Sequence, residues 1–123
     1  MTSLISRRSV TKGLVWGLFS SAALLQARDY DRARDLISRV QNDLERAANF
    51  VHNNEKERER YHNVQHELSK FDRDLRSGHF DKSNLDEAIE DLHNVVKNNT
   101  LESRDRDTLT ADLADLRALR EDR

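Results

Sequence analysis

The sequence predicts an all-α fold, an antiparallel bundle of about four helices arranged as two helical hairpins. Three observations carry that prediction. Among 123 residues there is no Pro, no Cys and only three Gly, so helix breakers are scarce. Charged and hydrophobic residues each make up 36% of the chain, a balance that suits helices with one apolar face. Apolar residues also recur at spacings of three and four along four separate segments, which is the helical period.

The first 27 residues stand apart from that pattern. Arg7, Arg8 and Lys12 are basic, no acid occurs among them, and Gly13 to Leu25 is a run of 13 residues without charge. A basic start, a short apolar run and a small residue at its end make a signal peptide, here with cleavage expected after Ala27. The run is too short to span a bilayer, which takes about 20 apolar residues. Leu25 at the −3 position is larger than the usual Ala-x-Ala pattern prefers, and a cut after Ala22 or Ala23 would leave Leu24 and Leu25 on the mature end. The expected division is therefore a signal peptide over 1–27 and a single helical domain over 28–123.

The helices follow in order. The first is expected from about Asp31 to Val51, with Asp29 as its N-cap and a stripe of Ala33, Leu36, Ile37, Val40, Leu44, Ala47, Ala48 and Val51. "HNNE", His52 to Glu55, reads as a turn, the alternative being one continuous helix. The second runs from about Glu55 to Ser77 with Tyr61, Val64, Leu68, Phe71 and Leu75 as a coiled-coil-like seam, and Gly78 stops it. Asp35–Arg39 and Asp72–Arg76 are spaced as i,i+4 ion pairs. Asp81 or Ser83 caps the third helix, whose apolar face is Leu85, Ala88, Ile89, Leu92, Val95 and Val96; Asn98-Asn99 ends it. The fourth starts near Ser103 and uses Leu109, Leu113, Leu116 and Leu119. One-sided helices must cover one another, and four-helix packing does so economically. The narrow seams of the second and fourth helices leave room for self-association.

Charge narrows the function. Setting aside residues 1–27 leaves 18 Lys and Arg against 23 Asp and Glu, a net −5, with the arginines interleaved among acids in "EKERER" and "RDRD". Nucleic-acid binding draws on clustered cations, so no nucleic-acid partner is expected. One Gly in the mature chain rules out a Gly-rich phosphate cradle, and no serine sits in a nucleophile elbow. Carboxylates such as Glu87 and Asp91 are expected on exposed helix surface, where nothing would raise their pKa. The chain is accordingly read as no enzyme, with no catalytic residues and no cofactor.

The sequence offers three metal-like patterns. Glu59-x-x-His62 and Glu90-x-x-His93 have the spacing used in di-iron bundles, but the helical wheel puts them away from the apolar stripes. His62 and His66 are one helical turn apart, the spacing at which two imidazoles share a metal, and with Glu59 they are the weak candidates for Zn²⁺, Ni²⁺ or Cu²⁺. Asp81 to Ala88 has the acids of a calcium loop without the Gly at its sixth position, and helix capping explains it better.

Ser6-Arg7-Arg8-Ser9-Val10-Thr11-Lys12 resembles the twin-arginine export motif Ser-Arg-Arg-x-Phe-Leu-Lys, with Val10 and Thr11 in place of Phe and Leu. That resemblance implies a cargo exported already folded; the alternative is a Sec signal that carries two arginines. The mature segments "KERERYHNVQHELSKFDRDL", "FDKSNLDEAIEDLHNVV" and "LESRDRDTLTADLADLRALR" resemble small exported helical proteins of bacteria of uncharacterised function, a resemblance that brings no activity. More loosely, the chain is similar to small helical periplasmic chaperones and metal-stress sensors, although Leu109-Thr110-Ala111-Asp112 does not reproduce their Leu-Thr-x-x-Gln motif. The expectation is a periplasmic or secreted, non-catalytic helical module that binds a protein partner or itself through its apolar seams and meets the membrane and the export machinery only during export. The second expectation is a periplasmic stress protein, acting as a holdase or as a weak metal binder through His62 and His66.

Overall fold

The computed structural model describes the backbone of residues 10–122 and the side chains of residues 30–122. Arg7 and Arg8 of the expected export motif lie outside the described residues. The side chains of Lys12 and of Ala27, at the expected cut, lie outside them too. Among the described residues four helices follow one another: α1 (Val10–Phe50), α2 (Glu55–Arg76), α3 (Lys82–Asn98) and α4 (Ser103–Glu121). Among the described residues there is no strand, and no helix is long and apolar enough to cross a membrane. The short connections 51–54, 77–81 and 99–102 force each helix to run antiparallel to the next. α1 packs on α2 and α4, and α3 packs on α2 and α4, so the four form a closed ring.

The boundaries have local causes. "HNNE" is a turn: the Asn54 side chain accepts the Glu57 N–H at 2.8 Å while the Glu57 carboxylate accepts the Asn54 N–H at 3.2 Å, a complete capping box. Gly78 has φ +81°, and its N–H bonds to Leu75 O while the His79 N–H bonds to Asp74 O, both at 2.9 Å. This is the Schellman ending, in which the left-handed position suits a residue without Cβ. Asp81, not Ser83, caps α3 by accepting the Ser83 and Asn84 N–H groups. At the other end of the chain the expectation needs correcting: α1 runs through Asp29 and Asp31, so Asp29 is no N-cap, because nothing from Ala22 to Asp31 breaks a helix.

Every helix contributes its stripe to one core. Among the described residues seventeen hydrophobic side chains are buried, including Ile37, Val40 and Leu44 of α1, Val64, Leu68 and Phe71 of α2, Leu85, Leu92 and Val95 of α3, and Leu109 and Leu116 of α4. Phe71 meets Phe80 edge to face at 5.1 Å between ring centres, and the Tyr30 ring lies 6.4 Å from that of Phe80. The seams of α2 and α4 are spent inside this core. Phe50 is the large hydrophobic side chain left exposed among the described residues, with the Arg104 guanidinium 5.4 Å above its ring.

Candidate functional site

The residues singled out by motif stand on the surface. His62 and His66 are both exposed on α2, with Glu59 exposed beside them. Glu90 and His93 are exposed on α3, so neither Glu-x-x-His pair points into the bundle. Among the described residues no three His, Asp or Glu side chains converge as a metal site would require. Asp81 is occupied as the cap of α3.

The buried polar residues are elsewhere: Asp43, Asn53, Glu57, Asn99, Asp105 and Asp112. Four of them gather at the end of the bundle where the connections 51–54 and 99–102 lie side by side. Glu57 joins the two, since its second carboxylate oxygen accepts the Thr100 N–H at 2.7 Å. That bond, with the capping contact to Asn54, holds the Glu57 carboxyl below its ordinary pKa of 4.5 in spite of burial. Asn99 donates to Glu57 O at 3.1 Å and accepts from Arg60 at 3.0 Å, while Arg106 donates to the carbonyls of Val96 and Asn99. Asn53 folds back on Ala48 O and Val51 O. Beneath this network burial pushes the Tyr61 phenol up, with Glu57 and Asp105 adding to the effect, and Asp105 keeps one buried oxygen unpartnered.

Asp43 and Asp112 form the second cluster, on the seam between α1 and α4. Asp43 is 8% exposed and Asp112 3%, and Asp112 keeps one buried oxygen without a hydrogen-bond partner. Arg39 reaches across from α1 to Asp112 at 3.4 Å and to Asp115, while Arg46 holds Asp43 at 3.3 Å. Arg39 was expected to pair with Asp35 on its own helix; the two acids across the seam, one of them buried, are the stronger attraction. Burial and the neighbouring Asp43 outweigh Arg39 and push the Asp112 carboxyl up to about 7. On the opposite seam, burial and Glu87 push the Glu67 carboxyl up, and burial with Glu90 and Glu87 does the same to Asp91. Glu87 is exposed as expected, whereas the expectation is corrected for Asp91, which is half-buried and whose carboxyl burial raises.

A groove of about 730 Å³ runs between α1 and α2. Arg34 and Arg76 on its walls both bind Asp72, at 3.0 and 3.1 Å, and with Arg73 they are matched in number by the lining acids Asp31, Asp35 and Asp72. The geometry of these clusters joins helix to helix. No family model matches the chain, and neither a curated protein nor a solved structure matches it.

Proposed function

We propose that this chain is an exported, periplasmic and non-catalytic helical module that recognises another protein through its charged outer surface. One observation supports the reading above the others: all four apolar stripes are closed inside the bundle, and Phe50 is the exposed large hydrophobic side chain among the described residues. What is offered to a partner is a mosaic of Arg, Asp and Glu, and such a surface gives orientation and on-rate more than burial energy. A holdase needs an exposed apolar concavity to hold unfolded chains, and the buried stripes are not available for it. Export rests on the basic and apolar pattern of residues 6–27.

Native mass spectrometry of the protein from fractionated exporting cells tests the reading. The expected species starts at Arg28, sits in the periplasmic fraction, and carries a partner chain that salt removes. Full-length protein confined to the cytoplasm would refute export. A partner complex that salt leaves intact would refute recognition by charge. Replacing Arg7 and Arg8 with Lys is expected to abolish export by the twin-arginine route; normal export of that variant assigns the signal to Sec.

A further inference from the structure

At two seams of the bundle, charges on facing helices pair directly. Between α1 and α4, Arg39 binds Asp112 and Asp115, and between α3 and α4, Arg120 binds Asp86 at 2.7 Å. The groove of about 730 Å³ between α1 and α2 is different, because its charges are sorted by wall. Asp31 and Asp35 lie on the α1 wall, and Arg73 and Arg76 on the α2 wall. Arg34 and Asp72 meet across the groove at 3.0 Å. Asp72 also holds Arg76, at 3.1 Å, and so divides one negative charge between two guanidinium groups. Among the described residues neither Asp31 nor Asp35 has a cation on it, and Arg73 has no acid. Arg39, one turn on from Asp35, is drawn to α4 instead. With the central Arg34–Asp72 pair set aside, the α1 wall carries two acids and the α2 wall two arginines.

We propose that this groove is the interface of a two-fold dimer, in which the acidic wall of each copy lies on the basic wall of the other. The proposal rests on the reading that the chain recognises protein by charge, and it names the partner as a second copy. Height along the helices makes the fit. The Arg34–Asp72 bond, and the bond of Gln41 to the Gln65 carbonyl at 3.1 Å, fix the register of the two antiparallel helices. That register sets Asp31 nearly level with Arg76, and Asp35 within one turn of Arg73. A two-fold axis running along the groove exchanges the walls without changing height, so α1 of one copy comes to lie over α2 of the other. Asp31 and Asp35 of each copy then face Arg76 and Arg73 of the other.

A surface that meets its own copy must be complementary to itself, and walls sorted by sign satisfy that requirement. A partner of uniform charge would be attracted by one wall and repelled by the other. The rest of the lining suits a wet, polar contact: Ser38, Asn42 and Ser69 are exposed, whereas Ile37 is 2% exposed and has little apolar surface left to offer. Exposed ion pairs contribute little singly, so the dimer is expected to be weak, reversible and dissolved by salt.

Sedimentation velocity on the protein recovered from exporting cells tests the proposal. At roughly 100 μM protein and about 50 mM salt the wild type is expected to be mainly dimer. Raising the salt to about 0.5 M should weaken association at least about tenfold. Asp31→Arg/Asp35→Arg makes both walls positive, and Arg73→Glu/Arg76→Glu makes both negative, so each variant alone should be monomeric. Mixed, the two should associate one to one, since each wall again meets its opposite; two variants that had failed to fold would not. A wild type that stays monomeric, a variant that dimerises as well as the wild type, or a mixture that does not associate overturns the proposal. Association through residues 1–27 would survive both charge reversals and is refuting in the same way. A monomeric wild type that still holds a different protein in a salt-sensitive complex overturns the dimer but leaves recognition by charge standing, whereas the absence of any salt-sensitive complex overturns both.

Discussion

Replacing Glu57 with Ala tests how much one buried carboxylate holds the end of the bundle together. In the native protein it accepts two N–H groups, Thr100 at 2.7 Å from the α3–α4 connection and Asn54 at 3.2 Å from its own cap. Removing it leaves both donors without the carboxylate. A hydrogen bond to a charged group contributes about 1.5–3 kcal/mol. The shorter bond, in the more buried position, takes the upper part of that range. The capping contact belongs with N-cap effects of about 1 kcal/mol. Together the loss is expected to be about 3 kcal/mol at pH 7. With a urea m-value of about 1.5 kcal/mol/M, the unfolding midpoint moves down by roughly 2 M at unchanged m. Glu57→Gln, which keeps the shape but turns an amide N–H₂ toward a donor, should lose about 1–2 kcal/mol. The pH dependence supplies the refutation. Because the folded pKa is lowered, the stabilisation is present above the ordinary carboxylate pKa and is lost as pH falls through the folded value. The gap between wild type and Glu57→Ala must therefore narrow toward pH 3. A gap under about 0.5 kcal/mol at pH 7, or one that stays constant down to pH 3, refutes this account of the bonds.

Two further outcomes test the core and the turn. Phe71 is fully buried against Phe80, so Phe71→Ala should cost about 3–5 kcal/mol in urea unfolding, and a loss under about 1 kcal/mol would mean that the site collapses around the cavity. Gly78 sits at φ +81° with nothing within 4 Å of an added Cβ, so Gly78→Ala should cost about 1–2 kcal/mol from the backbone alone, and Gly78→Asn less.

The apolar half of this fold was legible because its period is unbroken. Tyr61, Val64, Leu68, Phe71 and Leu75 alternate three and four, and all five are buried. The turns were legible where glycine or a capping residue marks them, at Gly78 and Asp81. The buried acids were not read, although a signal for them existed. Asp43 follows Val40 by three residues and Asp112 follows Leu109 by three, which puts each on its helix's apolar stripe. A wheel scored for hydrophobic residues alone passes over polar residues in core positions. Glu57 carried a second signal, since Asn54-x-x-Glu57 is a capping box on its face. Its bond to Thr100 carried none, because residues 43 apart meet only through the antiparallel return of α3 along α2. The histidine spacing, conversely, is a property of one helix; it says nothing about a third ligand, and α2 turns both imidazoles to solvent.

The polar end of the bundle answers a question that the leucines leave open. Apolar stripes drive four helices together without fixing which rotation or depth each adopts, since hydrophobic contact is non-directional. Asn99 supplies direction. It is 3% exposed, donates to the backbone of Glu57, accepts from Arg60, and offers its carbonyl to Arg106, so one residue references α2, α3 and α4 together. A buried polar residue of this kind trades some stability for a unique arrangement in systems where it sets register. The consequence differs from that of a cavity. Asn99→Leu removes the directional bonds while keeping apolar volume, so the expected loss is about 2 kcal/mol. A lower m-value and dye binding characteristic of loosened side-chain packing should accompany it. Asn99→Asp keeps the acceptor for Arg60 but cannot donate to Glu57 O, and should restore neither stability nor m. If Asn99→Leu unfolds with the wild-type m-value and binds no dye, Asn99 merely fills space, and the register of the hairpins must be set by the core alone.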